Sequence, residues 1–246
     1  MKLSFLTCSM NRLHHIKETY LHNISKSKSS CNVNIEFVLL NYNSTDGLSD
    51  WINECRSILD GVEFNYVHSK TAKYFDMSKV KNILGKSASG THLCWLDADN
   101  YTEDGFVDFV YTNFKMHPNS ILNVPYSDNT VGFGGRVVCS KTHFLEVGGY
   151  DESFVGWGYE EIDFVNRLHK SGCKKISIPI KYLRKIEHTD QERVSNYNPK
   201  FTEQINPTHK NYHMKYKSNL SNFMRSSFNI KNNKLIANLK LNWGTI

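Results

Sequence analysis

The chain has 246 residues, 39% of them hydrophobic, and a formal net charge of +6. This length accommodates one large α/β domain with a substantial core. No run approaches the roughly eighteen apolar residues of a membrane-spanning helix, which argues against an integral membrane protein. Strand-like sequence begins almost at Met1 and leaves no room for a signal peptide. We therefore expect a cytoplasmic protein, with peripheral binding at a membrane surface as the alternative.

The six cysteines are widely separated, and no two form a CxxC pair: Cys8, Cys31, Cys55, Cys94, Cys139 and Cys173. Several of them lie inside predicted strands. Buried, reduced thiols are therefore expected rather than disulfides or a zinc site.

The net charge belongs to the C-terminal part of the chain. Residues 200–246 contain eight Lys or Arg and one acid, whereas residues 1–199 contain 22 bases and 23 acids. We therefore predict a main domain, 1–199, and a basic C-terminal extension, 200–246. Aromatic residues are interleaved in this extension: Phe201, Tyr212, Tyr216, Phe223, Phe228 and Trp243. An anionic membrane surface, a nucleic acid or an acidic glycan would suit it, as would plain solvation.

The first third of the chain alternates between strand and helix patterns. Strands are predicted at 3–9, 34–41 and 62–67, and helices after Arg12 and at 48–59. Such alternation predicts a mostly parallel sheet with helices on its faces. A strand that opens into a helix through a polar turn is a usual place for a nucleotide in this class of fold.

Two carboxylates follow the next predicted strand. A helix at 78–87 and a strand at 92–96 lead directly into Asp97-Ala98-Asp99. Such carboxylates at a strand end provide hard oxygen ligands for Mg²⁺ or Mn²⁺. The DxD pattern alone is weak, because an Asx-rich turn has the same sequence.

The stretch 148–172, GGYDESFVGWGYEEIDFVNRLHKSG, places three acids between a Gly-Trp-Gly turn and an apolar periodic run. The acids are Glu160, Glu161 and Asp163. The run predicts a helix whose buried stripe is Ile162, Val165 and Leu168. Acids in a first turn are also favoured by the helix dipole, so the pattern alone fits either a structural helix start or a site.

Two groups of motifs resemble known glycosyltransferases. Lys81-Asn82, Gly90 and Trp95–Asn100 are similar to the signature of family 2 glycosyltransferases, which have a nucleotide-diphospho-sugar fold of the GT-A type. Phe133–Leu168 is similar nearly throughout to the β-1,4-galactosyltransferases and the related C-terminal galactosyltransferase module. The resemblance implies a GT-A fold with a mostly parallel central sheet.

The resemblance also implies a metal site. Asp99 would be a direct ligand, and His188 stands where the family places a metal-binding histidine. Asp97 would face the donor ribose or the water shell of the metal. Mixed carboxylate and imidazole ligation suits Mn²⁺ better than Mg²⁺. The β-1,4-galactosyltransferases have a methionine where this chain has Lys185, which leaves the third protein ligand open.

Glu161 matches the acid that the family uses as catalytic base, although the usual residue is Asp. We expect burial behind Trp157 to raise its pKa. Trp157 would stack on a sugar ring, and Glu160 and Asp163 would bind hydroxyl groups, on the acceptor side. The family's second Asp is Ile162 here, which argues against the same acceptor sugar.

The donor side is implied by matches to positions that hold the uracil, ribose and phosphates. Five residues are expected to bind the donor beside Asp97: Thr7, Arg12, Asp46, Lys81 and Gly135. The step Gly134-Gly135 would allow the backbone to approach the donor sugar closely.

The resemblance therefore predicts an inverting, metal-dependent glycosyltransferase. It would move a hexose or N-acetylhexosamine from a UDP-sugar to a hydroxyl of a glycan or glycoconjugate. Two alternatives remain: a glycosyltransferase that acts on a modified nucleic-acid base, which the basic extension would favour, and a non-catalytic sugar-binding protein on the same fold.

Overall fold

The fold was described from a computed structural model that covers residues 1–27, 32–204, 216–239 and 242–246. Its strands are β1 (Lys2–Ser9), β2 (Asn34–Tyr42), β3 (Glu63–Ser69), β4 (His92–Trp95), β5 (Asn100–Thr102), β6 (Ser120–Asn123), β7 (Val137–Ser140), β8 (Lys174–Ser177) and β9 (Leu183–Lys185). Its α-helices are α1 (Leu13–Ser27), α2 (Leu48–Glu54), α3 (Met77–Ser87), α4 (Phe106–Met116), α5 (Lys141–Glu146), α6 (Glu160–Lys170), α7 (Asp190–Val194) and α8 (Lys217–Lys231).

Seven strands form one sheet in the order β3-β2-β1-β4-β7-β6-β8. Neighbouring strands are parallel except where β7 pairs with β4 and with β6. The mostly parallel α/β sheet predicted from the sequence is therefore confirmed. Strands β5 and β9 form a separate antiparallel pair.

Both faces of the sheet are covered, which explains the nearly continuous apolar sequence of β1 and β2. Successive side chains of a strand point to opposite faces. Leu3 and Phe5 accordingly pack into one core with α1, α2 and α4. Leu6 packs into a second core with α3, α5 and α6, where Trp95 contacts Phe164 at 5.5 Å between ring centroids.

Two predicted elements end earlier than expected. Helix α2 stops at Glu54 instead of residue 59, and β8 stops at Ser177, whereas the sequence predicts a strand over 175–182. A short 3-10 turn after Pro179 breaks the second of these. The chain then leaves the main sheet, and β9 pairs with β5, directly after the DxD motif.

The C-terminal segment packs onto the rest of the chain through α8, a helix that the sequence analysis did not predict. Asn219 donates a hydrogen bond to the carbonyl oxygen of Trp157 at 2.6 Å, and Trp243 packs against Phe144 at 5.6 Å between ring centroids. The spacing of Leu235, Ile236 and Leu239 predicts one face of a short helix, but the structure is irregular there, so this prediction is wrong. Tyr212 lies outside the described residues. The division at residue 199 stays a prediction.

The structure describes five of the six cysteines and the helices that could cross a membrane. Cys8, Cys55, Cys94, Cys139 and Cys173 are free thiols, and all but Cys8 are buried. Cys31 lies outside the described residues. Among the helices that the structure describes, none combines the length and the apolar character needed to cross a membrane.

Candidate active site

A cavity of about 340 Å³ lies at the carboxyl ends of β1 and β4. Strand β1 has β2 as its neighbour on one side and β4 as its neighbour on the other, so the strand order reverses at β1. Ligands of open α/β sheets bind at such a switch point. Eight of the predicted site residues line this cavity: Arg12, Lys81, Asp97, Asp99, Gly135, Trp157, Glu161 and His188.

Asp99 and His188 meet although they are 89 positions apart in the chain. His188 Nε2 lies 2.8 Å from Asp99 Oδ2, and the Asn100 side-chain amide donates to Asp99 Oδ1 at 2.9 Å. Burial opposes ionisation of Asp99, but the His188 hydrogen bond and charge outweigh it and hold the Asp99 pKa below its ordinary value. Main-chain pairing of β5 with β9 brings the two side chains together. A hydrogen bond from Ile186 N–H to Asp99 O extends this pairing as far as the DxD motif.

Asp97 fills the space that the absent side chain of Gly135 leaves. A Cβ on Gly135 would lie 2.1 Å from Asp97 Oδ2, so a larger residue here would require the Asp97 carboxylate to move. Burial, together with the charges of Asp99 and Glu161, raises the Asp97 pKa to about 6, while the charge of Lys81 opposes that rise. Gly135 therefore makes room for the Asp97 carboxylate.

Glu161 forms a buried ion pair with Lys81, with Nζ and Oε1 2.5 Å apart. Burial works against the charge of Glu161, but Lys81 and a hydrogen bond from Glu160 hold its pKa below the ordinary value. The expected increase in the Glu161 pKa is therefore wrong. Burial and the Glu161 charge instead raise the pKa of Glu160 well above its ordinary value. Lys81 was expected on the phosphates; its partner in this structure is Glu161, and a donor role stays a prediction.

Two acids predicted to bind the acceptor do not line the cavity. Asp163 is fully buried and pairs with Arg167 Nε at 2.6 Å. Arg167 also donates to the carbonyl oxygens of Val147 and Gly149, at 2.9 and 2.8 Å. Glu160 is 2% exposed and lies behind Glu161, to which it is hydrogen-bonded. Both positions belong to the buried face of α6, so the structure places these acids away from the cavity. Their contact with an acceptor stays a prediction.

The predicted buried stripe of α6 is wrong at one position. Val165 and Leu168 are buried as expected, together with Phe164, whereas Ile162 is 37% exposed and lines the cavity. Glu160 and Asp163 lie on the buried face of α6, and Ile162, which stands between them in the sequence, faces the cavity. Beside Glu161 the cavity consequently offers an apolar contact at the position where the resembling family has an Asp.

Two predicted donor residues also lie elsewhere. Thr7 is 3% exposed and does not line the cavity, because its neighbours Leu6 and Cys8 point into it and strand side chains alternate. Asp46 accepts a hydrogen bond from Leu13 N–H at 2.7 Å and satisfies the first turn of α1. Neither Thr7 nor Asp46 lines the cavity, whereas Arg12 and Gly135 do, and a donor role for each of these residues stays a prediction.

Several cavity residues were not predicted from the sequence, among them His15, Arg193, Asn196 and Tyr197. The ring of His15 lies 5.7 Å from that of His188, and Arg193 lies over Trp157 at 5.3 Å. Arg193, Asn196 and Tyr197 come from α7 and the turn after it, which had no recognised motif. His15 follows Arg12 by three positions, about one helical turn. This spacing places the two residues on the same side of the helix and could have predicted that His15 lies near Arg12.

Arg136 was also not predicted as a site residue, although it belongs to the stretch Phe133–Leu168 that carries the resemblance. It is 1% exposed, and its guanidinium donates to the Tyr101 carbonyl oxygen at 2.8 Å. Burial lowers the Arg136 pKa, and the charges of Asp97 and Asp99 help to keep the guanidinium ionised. The residue thus compensates part of the negative charge at the strand end.

Tyr159 begins α6 with a left-handed backbone, at φ 73°. Bulky residues rarely adopt this region, and such strain is found mostly at functional sites. The tyrosine lines the cavity and packs against Phe223 of α8, with 5.4 Å between ring centroids. The strained turn therefore connects the acceptor side to the C-terminal helix.

Comparison with known proteins supports the resemblance. A family model described as the N-terminal domain of galactosyltransferase matches residues 119–195. The chain is 33% identical over 89 residues to β-1,4-galactosyltransferase 2 of Cricetulus griseus, and 36% identical over 69 residues to the Homo sapiens protein. These alignments cover 35% and 27% of the chain, but only 23% and 18% of the respective relatives. The chain thus spans less than a quarter of those relatives.

Solved structures extend the similarity to most of the fold. TarS 1-349 from S. aureus in complex with UDP-GlcNAc superposes with a TM-score of 0.63 at 14% identity, over 80% of this chain and 62% of that TarS fragment. The mannosyltransferase PcManGT from Pyrobaculum calidifontis, in complex with GDP-Man and Mn²⁺, superposes with a TM-score of 0.60 at 15% identity, over 72% of this chain and 54% of its own. The chain has the GT-A glycosyltransferase fold, as predicted.

Proposed function

We propose that the protein is an inverting, metal-dependent glycosyltransferase that moves a hexose or N-acetylhexosamine from a UDP-sugar to a hydroxyl of a glycan or glycoconjugate. One observation carries the proposal. Glu161 and the Asp99–His188 pair open into the same cavity, although they lie in separate parts of the sequence. A binding module would need neither a base nor a metal pair at this place. Similarity of residues 119–195 to a galactosyltransferase model supports the same reaction class.

The donor set fits a divalent metal. Asp99 Oδ2 and His188 Nε2 already converge to 2.8 Å, and Asp97 stands beside them. Asp99 and His188 would hold Mn²⁺, with Mg²⁺ as the alternative, and the metal would neutralise charge on the leaving diphosphate. Lys185 does not supply a third ligand, because its ammonium pairs with Glu187 at 3.0 Å and lies over Phe133.

Glu161 is the proposed base. Its carboxylate would accept the proton of the acceptor hydroxyl while the hydroxyl oxygen attacks the anomeric carbon from the side opposite the diphosphate. This single displacement breaks the bond to the diphosphate and inverts the anomeric configuration. The ion pair with Lys81 favours the ionised form of Glu161, and a hydrogen bond from Glu160 acts in the same direction. General-base help of this kind contributes about 10²–10⁴-fold to the rate.

The donor and acceptor halves of the cavity have different chemistry. Arg12 and Asp97 are the proposed contacts for the diphosphate and ribose of the donor. Trp157 and Ile162 provide flat and apolar surfaces, which suit the faces of a sugar ring on the acceptor side. UDP-sugars are proposed because TarS binds UDP-GlcNAc, with GDP-sugars as the alternative that PcManGT suggests.

The reaction class is tested by nucleotide release. The full chain is incubated with a panel of UDP- and GDP-sugars, with Mn²⁺, with Mg²⁺ or with a chelator, and free UDP or GDP is measured. We expect release from at least one UDP-sugar, dependent on metal and lost in Asp99→Asn. Exposed Asp104→Asn is the matched control and should retain activity. Failure to bind or turn over any nucleotide sugar under any metal would falsify the proposal.

A further inference from the structure

Helix α8 buries its polar side and exposes its apolar side. The buried residues are all Ser or Asn: Ser218, Asn219, Asn222, Ser226 and Asn229. Four apolar side chains are exposed between 41% and 63%: Leu220, Phe223, Met224 and Phe228. A helix on the surface of a water-soluble domain normally has the reverse arrangement. This reversed arrangement indicates that the exposed side of α8 contacts an apolar partner.

The buried polar side makes hydrogen bonds inside the protein. Asn222 Nδ2 donates to the carbonyl oxygens of Val155 and Gly158, both at 2.9 Å, and Asn229 reaches Asp151 and Asp163 at 3.2 Å. These bonds fix the rotation of the helix about its axis. The apolar side consequently cannot turn inward without breaking bonds to buried carbonyl and carboxylate oxygens.

The exposed side has the layout of an interfacial helix. At 3.6 residues per turn the four apolar residues occupy an arc of about 140°. Lys217 and Lys231 fall within the same arc, one at each end of the helix, and Arg225 lies beside it. From Tyr216 to Leu239 the chain contains four bases and no acid. We propose that this surface, the lipid face, binds an anionic lipid membrane.

Charge and shape favour a membrane over other occupants. Long apolar side chains such as Leu220 and Met224 gain free energy in the acyl region, while flanking lysines attract anionic headgroups. A nucleic acid would satisfy the lysines but would leave these aliphatic groups in water. A second copy of the chain would bring Lys217 and Lys231 against one another, which costs like-charge repulsion.

The lipid face adjoins the cavity. Phe223 packs against Tyr159, and Tyr159 lines the acceptor half. A membrane bound at α8 would therefore lie next to the side on which the acceptor is proposed to enter. The binding proposal itself rests on α8 alone and does not depend on the proposed transferase activity.

Vesicle co-sedimentation of the full chain tests the proposal. Vesicles of phosphatidylcholine are compared with vesicles of equal parts phosphatidylcholine and phosphatidylglycerol, at low and high salt. We expect binding to the anionic vesicles, weakened by salt. Met224→Ser with Phe228→Ser should weaken it about tenfold or more, whereas Ile58→Ser with Met116→Ser, which removes equally exposed apolar groups elsewhere, should not.

The charges are tested separately. Lys217→Glu with Lys231→Glu should reduce binding on the order of tenfold or more, and Lys17→Glu with Lys115→Glu is the exposed control. All variants are exposed substitutions, so circular dichroism should confirm unchanged folding. Three results would overturn the proposal: equal binding to neutral and anionic vesicles, salt-sensitive binding to DNA without vesicle binding, or self-association by light scattering that Phe228→Ser abolishes.

Discussion

The proposed donor and acceptor halves of the cavity position their acids in different ways. In the proposed donor half, Asp97 and Asp99 come shortly after the end of β4, and both line the cavity. In the acceptor half, three acids share the first turn of α6, and only Glu161 reaches the cavity. A strand end exposes consecutive polar residues to one edge, whereas a helix distributes them around its axis. Acidic clusters on helices therefore overstate the number of functional carboxylates.

The largest expected effect comes from the one acid of α6 that faces the cavity. Glu161→Gln should lower transfer by about 10²–10⁴-fold, because the amide cannot accept the proton. Donor binding should persist, since the donor residues lie on the other half. Initial rates and donor titrations measure the two quantities. Glu187→Gln, an exposed acid nearby, is the control, and transfer at the parental rate in Glu161→Gln would show that another group is the base.

The buried acid of the same turn should affect stability more than chemistry. Asp163→Asn leaves the Arg167 guanidinium buried without its counter-charge, which costs about 3–5 kcal/mol. Urea unfolding measures the loss. Asp104→Asn removes an exposed pair with Lys26 and should cost about 1 kcal/mol or less. If Asp163→Asn unfolds like the parent but loses acceptor affinity, the assignment of Asp163 to the interior is incorrect.

A smaller effect is expected where α8 supports the acceptor half. Asn222→Ala removes hydrogen bonds to the carbonyl oxygens of Val155 and Gly158 and should cost about 1–3 kcal/mol. The KM for the acceptor should rise, because the turn that carries Trp157 loses its support. Asn232→Ala, at the exposed end of the helix, is the matched control. An unchanged unfolding curve for Asn222→Ala would mean that α8 does not brace the turn.

The smallest effect concerns an acid at the opposite edge of the sheet. Glu36 is buried, yet hydrogen bonds from Ser4 and Ser89 outweigh the burial and hold its pKa below the ordinary value. The ionised form is therefore favoured in the folded state. Its contribution is present above the unfolded-state pKa of about 4.3 and disappears as pH falls through the lower folded-state pKa.

Glu36→Gln should consequently lose on the order of 1 kcal/mol at neutral pH, and the difference from the parent should shrink in acid. Urea unfolding at a series of pH values measures it, with Glu63→Gln in the neighbouring strand as an exposed control. A difference that grows as the pH falls would contradict the assignment.

Local sequence was sufficient for the parallel half of the sheet. Alternating strand and helix patterns, the carboxylates after β4 and the apolar runs of β1 and β2 depend on neighbours in the chain. The Asp97–Asp99 pair was found for the same reason, because a strand end places adjacent residues at one edge. Gly135 was found through its motif. The need for a small residue there comes from the nearby Asp97 Oδ2, a contact that only the tertiary structure shows.

Only the tertiary structure decided which face of each element meets the ligand. Thr7 and Asp46 match donor positions in sequence, yet strand alternation and a cap on α1 direct them away from the cavity. In the stretch 148–172, rotation of α6 buries Glu160 and Asp163 and exposes Ile162. That rotation is fixed by Arg167 and by asparagines of α8, partners from distant parts of the chain. No local pattern contains such long-range contacts, and they determine which acids of α6 are buried and which one faces the cavity.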